Sequence, residues 1–128
     1  MINFTFFSKQ IPRKILYFRV FVWAMLIFVL SSQPVLPGPQ LFAFDFLLKK
    51  SAHIIVYGIL FIFILQALEK DIKNPLKASF LAFVLTFIYA ARDEFHQSLV
   101  PGRTGTFRDL GYDSLGMAIA WLAYYKYI

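Results

Sequence analysis

The stretch KASFLAFVLTFIYAARDEFHQ, residues 77–97, decides the fold. Between Lys77 and Arg92 run fourteen residues without a charge, which as a helix rise about 21 Å. A bilayer core is roughly 30 Å thick and takes about 20 residues to cross. Continuing the helix to Gln97 makes up the difference and carries Arg92, Asp93, Glu94 and His96 to membrane depth. Ionisable groups are costly there and usually functional.

Working outward, the other apolar runs give the same arithmetic. A span ending at Leu68 begins near Lys49 and takes in Lys50 and His53, and one ending at Tyr125 begins near Thr106 and takes in Arg108, Asp109 and Asp113. The first run, from Ile15, finishes at Ser31, Ser32, Gln33 and Pro34. The expected fold is therefore an all-α integral membrane protein, a four-helix transmembrane bundle spanning about 15–34, 49–68, 78–97 and 106–125 within one domain, 1–128. Every polar cluster falls at the same end, which predicts an outward-facing polar pocket.

Composition agrees. With 59% hydrophobic and 20% aromatic residues in 128, the chain has no room for a separate soluble domain. Its net charge of +6 does not imply a nucleic-acid partner, because the basic residues flank apolar spans instead of gathering on a solvated face. The absence of cysteine excludes disulfides, thiolate metal sites and a cysteine nucleophile. Orientation follows from the basic residues of the short loops. Lys9, Arg13, Lys14, Arg19, Lys70, Lys73, Lys77 and Lys126 lie on one side, against Lys49, Lys50, Arg92, Arg103 and Arg108 on the other. This places the protein in the cell membrane as a multi-pass protein with both termini cytoplasmic. A signal peptide is the rival reading of the amino terminus, but the apolar run is long for one and no A-x-A-like triplet follows it.

In the first connector, Pro34, Pro37, Gly38 and Pro39 require a turn, and Phe42, Phe44, Phe46, Leu47 and Leu48 predict a segment lying in the interface with Asp45 exposed. The loop from Glu69 to Lys77 reads as a solvated connector. The third connector, with Pro101-Gly102-Arg103 and Gly105, reads as a tight turn presenting Arg103 inward over the helix ends.

At helical spacing Lys50, His53 and Tyr57 form one stripe, Asp93 and Glu94 each share a face with Gln97, and Asp109, Asp113, Gly116 and Ala120 form a seam of acids and small residues. Gly116 and Ala120 read as helix packing. A carboxylate at Asp113, roughly 10 Å below the helix end, needs a cation, a donor or a proton. His53, Glu94, His96, Asp109 and Asp113 are ligand types for Zn²⁺ or Mn²⁺, but no H-E-x-x-H or comparable spacing occurs, and no metal or other cofactor is expected.

In this order and spacing, Ser31-Ser32-Gln33-Pro34, Lys50-x-x-His53-x-x-x-Tyr57, Asp93-Glu94-x-His96-Gln97, Pro101-Gly102-Arg103 and Asp109-x-x-x-Asp113-x-x-Gly116 resemble the VanZ-like family of small membrane proteins. Its founding member is associated with low-level resistance to the glycopeptide teicoplanin. The resemblance runs from about Leu30 onward and puts Ser31, Gln33, Lys50, His53, Glu94, Gln97, Arg103, Asp109 and Asp113 at motif positions. Asp113 stands where the family often has Asn, and Ala120 where it often has Gly. It implies an envelope protein that binds or modifies a cell-surface component, such as a lipid-linked wall precursor, and so influences glycopeptide susceptibility. In that picture Lys50, Arg92 and Arg103 hold an anionic group, Asp109 and Asp113 orient the arginines, and His53 and Glu94 are the acid/base pair. A non-catalytic scaffold that binds membrane lipid or the antibiotic is the alternative. A small transporter is disfavoured, because Phe61–Leu65 and Leu81–Leu85 leave no polar path across.

Overall fold

The computed structural model describes residues 8–34 and 42–128, and among these the long elements are all helical: α1 (Arg13–Ser31), α2 (Phe42–Leu68), α3 (Pro75–Ser98) and α4 (Phe107–Tyr124). Local chemistry sets the ends. Pro12, with φ −57°, precedes α1, and its carbonyl accepts from the N–H groups of Ile15 and Leu16. Asn74 caps α3 by accepting from the N–H groups of Leu76 at 3.0 Å and Lys77 at 3.1 Å, with Pro75 in the first turn.

Consecutive helices run up and down, so α2 and α4 are parallel. Helix α2 is the hub: it packs against α1, α3 and, most extensively, α4. The α2–α4 contact depends on missing side chains, because a Cβ on Gly116 would stand 2.1 Å from the Ile54 carbonyl oxygen and one on Gly58 3.0 Å from that of Gly116. Such close backbone approach is how helices pack where hydrocarbon surrounds them. Phe61, Leu65, Ala78, Ala82, Met117, Ala120 and Tyr124 fill one core cluster, and Ile27, Tyr57, Leu60 and Ala90 a second. Aromatic polar tips find carbonyls inside it: Trp23 Nε1 donates to Val56 O at 3.0 Å and Tyr89 Oη to Ala24 O at 2.5 Å.

Phe18, Phe21, Ile55, Phe80 and Ile88 are among the many exposed apolar residues. Helices α1, α2 and α3 are long and apolar enough to cross a membrane. Helix α4, with 18 residues, is about 27 Å long.

Three expectations are corrected. Phe42–Leu48 is not a separate interfacial segment but the start of α2, because no proline or glycine interrupts the chain before Gly58. The helix consequently has 27 residues and is about 40 Å long. Asp45 is half-buried in its first turn, where the positive end of the helix dipole favours an acid. The Glu69–Lys77 connector is also more than a solvated loop. Glu69 accepts from Tyr124 Oη at 2.7 Å and Tyr125 Oη at 2.8 Å, and Asp71 accepts from Tyr17 Oη at 2.8 Å and pairs with Arg13 at 3.0 Å. The turn at Pro37, Gly38 and Pro39 lies outside the described residues.

Candidate functional site

At the bundle end opposite Glu69, residues from all four helices and the third connector meet. Helix α2 carries Lys50, His53 and Tyr57 on one stripe, and the parallel α4 sets Asp109 and Asp113 beside it. Lys50 Nζ pairs with Asp109, and His53 Nδ1 lies 2.7 Å from Asp113 Oδ1. Helix α3 enters from the side: Glu94 Oε1 is 3.6 Å from His53 Nδ1, while its Oε2 accepts from the Thr106 N–H at 3.0 Å. Thr106 Oγ1 in turn donates to Asp109 Oδ2 at 3.1 Å. Asp93, Glu94, Asp109 and Asp113 are all buried, Asp113 completely.

A second branch joins α1. Tyr57 Oη donates to Asp93 Oδ2 at 2.5 Å, Gln97 Nε2 donates to the same oxygen at 2.9 Å, and Gln97 also reaches Ser31 Oγ at 3.2 Å. Ser32 Oγ is 3.0 Å from His96 Nε2, whose ring stacks on Phe28. Gly105 lets the connector lie against α3, since a Cβ there would fall 2.0 Å from the Glu94 carbonyl oxygen.

Between α1, α2 and the connector lies a cavity of about 340 Å³. Its lining is mixed, with Lys49, Lys50, His53, Gln97, Arg103 and Asp109 polar and Ile27, Leu30 and Val56 apolar.

The structure brings together Ser31, Lys50, His53, Glu94, Gln97, Asp109 and Asp113. Arg103, Gln33 and Arg92 differ from expectation. Arg103 does not reach a carboxylate: Nε donates to Gln33 O at 2.7 Å and Nη2 to Leu30 O at 2.9 Å, so the guanidinium serves main-chain carbonyls at and just beyond the negative end of α1. Gln33 supplies that carbonyl, while its side-chain amide turns back onto Val29 O at 3.2 Å. Arg92 is exposed and lines a separate groove of about 160 Å³ with Phe28, Tyr89 and His96. Asp109 and Asp113 orient Lys50 and His53 rather than arginines. Sequence reasoning left Tyr57, Asp93 and Thr106 out of the site. The first two were visible as the end of the Lys50 stripe and the i, i+4 partner of Gln97, whereas the Thr106 contact to Glu94 is made by its main-chain N–H, which no side-chain pattern marks.

A family model described as VanZ/LLP1 matches residues 2–128, which is almost the whole chain. This chain belongs to the VanZ/LLP1 family. No curated protein matches it, and neither does any solved structure. In this VanZ/LLP1 member the converging polar residues come from the segments that carry the sequence resemblance, Ser31-Ser32-Gln33, Lys50 to Tyr57, Asp93 to Gln97 and Asp109 to Asp113.

Proposed function

We propose that this VanZ/LLP1 protein is a multi-pass membrane protein with four spans and both termini in the cytoplasm. Its cavity faces outward and binds a lipid-linked cell-envelope component, such as a wall precursor, through the component's anionic headgroup, and in doing so influences susceptibility to glycopeptides such as teicoplanin. The observation that carries this reading is the mixed lining of the cavity, with the cations Lys49, Lys50 and Arg103 beside the apolar Ile27, Leu30 and Val56. Cationic groups suit phosphate oxygens and an apolar wall suits the adjoining chain. A second reading, that the bound component is chemically modified, is supported by the 3.6 Å approach of His53 and Glu94, a spacing from which proton transfer through small movements is accessible.

The headgroup is tested at Lys49, which is exposed, so that its replacement does not disturb the buried pairs. Lipids copurifying with the protein in mild detergent, identified by mass spectrometry, should include one with a phosphate or pyrophosphate headgroup. Lys49→Glu should lower its retention about tenfold, the equivalent of roughly 1.4 kcal/mol. Equal retention by the two proteins, or neutral lipids alone, would end the headgroup reading. Modification is tested by Glu94→Gln, which keeps shape while removing the titrating carboxyl. Modification requires lipid retention to persist while any effect on teicoplanin susceptibility falls about a hundredfold. Pure binding requires both to persist.

Topology is tested by cysteine labelling in intact cells. Lys73→Cys should be protected from a membrane-impermeant maleimide and Leu99→Cys should react, both positions being exposed. The reverse pattern would invert the orientation.

A further inference from the structure

Two carboxylates and an imidazole converge in the interior, and their hydrogen bonds do not use them up. His53, Glu94 and Asp113 each offer one ligand atom within 4.8 Å of the others. The Glu94 and Asp113 side chains are only 6% and 0% exposed. Among the described residues, Glu94 Oε1 and Asp113 Oδ2 have no hydrogen-bond partner. An unsatisfied carboxylate oxygen in the interior is expensive, and two beside one another more so.

From this we infer that His53, Glu94 and Asp113 form a binding site for a divalent first-row metal ion of the Zn²⁺ or Mn²⁺ class. Imidazole nitrogen with two carboxylates is a donor set for such ions. One dication balances both carboxylates and gives the orphaned oxygens a partner. The spacing is suitable: ligand atoms around a tetrahedral ion with bonds of about 2.0–2.2 Å lie roughly 3.3–3.5 Å apart. Glu94 Oε1 is already 3.6 Å from His53 Nδ1, and Asp113 at 2.7 Å needs only a rotation that exchanges its hydrogen bond for the ion. Supporting contacts hold the donors. The Thr106 N–H fixes Glu94 Oε2 so that Oε1 points at the imidazole, and the His53 ring stacks on Tyr57. Three protein ligands leave a fourth position for water or an anionic oxygen from the cavity that His53 lines.

No local motif announces this site, because its ligands come from three different helices. It shares the cavity of the proposed headgroup site but does not depend on a lipid being bound there, so the two readings are tested separately. The protein, purified in detergent and stripped with a chelator, is titrated with Zn²⁺ and with Mn²⁺. Metal content is measured after desalting, and the thermal unfolding midpoint with and without ion. One equivalent of Zn²⁺ or Mn²⁺ per chain and a raised midpoint are expected. Glu94→Gln and Asp113→Asn should each weaken binding about a hundredfold, and Asp71→Asn, at the opposite end, should not. Circular dichroism identifies any variant that fails to fold, and the wild-type stoichiometry stands without it. Less than about a tenth of an equivalent in the wild type with both ions, or undiminished binding in folded Glu94→Gln and Asp113→Asn, would overturn the site.

Discussion

Gly116→Ala is expected to unfold or loosen the bundle although it adds one methyl group. The new Cβ would lie 2.1 Å from the Ile54 carbonyl oxygen, and the obstacle is backbone that no rotamer change can move aside. Helices α2 and α4 would have to separate, so the loss should lie at or above the upper end of the usual overpacking range of about 1–3 kcal/mol. Two other glycines calibrate the effect. Gly58→Ala meets the Gly116 carbonyl oxygen at 3.0 Å and should cost less, whereas Gly111 has no described neighbour within 4 Å and its replacement by Ala should add about 0.5–1 kcal/mol. Thermal unfolding in one detergent gives the order. Equal midpoints for Gly116→Ala and Gly111→Ala would mean that the helices are not in backbone contact.

Lys50→Ala should be still more damaging than its loss of packing suggests. Lys50 and Asp109 face each other with side chains 16% and 7% exposed, and removing the cation leaves the carboxylate, among the described residues, with the Thr106 hydroxyl as its side-chain hydrogen-bond partner. Breaking such a pair from one side costs about 3–5 kcal/mol. The double variant Lys50→Met/Asp109→Asn removes both charges together and should recover most of that loss, since a buried pair is worth little against well-packed neutral groups. Unfolding midpoints of the wild type, both single variants and the double variant measure the coupling. Additive effects would show that Lys50 and Asp109 act independently.

What could be read from the sequence follows from how each feature is encoded. The apolar runs and their clustered polar ends are local, so the helices and the shared end for Lys50, His53, Glu94, Asp109 and Asp113 were legible by counting residues. Helix boundaries were read less well. Phe42–Leu48 looked interfacial because the calculation stopped at the length needed to cross a bilayer, while the chain itself had no reason to stop. Pairings across helices were harder again. Asp109 and Asp113 were expected to orient Arg103 because charge suggests it, yet its direct contacts are to main-chain carbonyls, which every residue carries and no sequence pattern marks. Similarly, that Asp109 meets Lys50 and Asp113 meets His53 depends on the register of two parallel helices, which glycine contacts set in three dimensions.

The Arg103 contact has a further implication. Arg103 lines the cavity, and its guanidinium holds the Leu30 carbonyl in the last turn of α1 and the Gln33 carbonyl just beyond it. An anion bound there as proposed would compete with those carbonyls for the same N–H groups, so filling the cavity would release the end of α1. Occupancy would then be reported by a segment of main chain. Faster amide hydrogen exchange over the final turn of α1 in the ligand-bound protein would be its signature, readable without knowing what the ligand is.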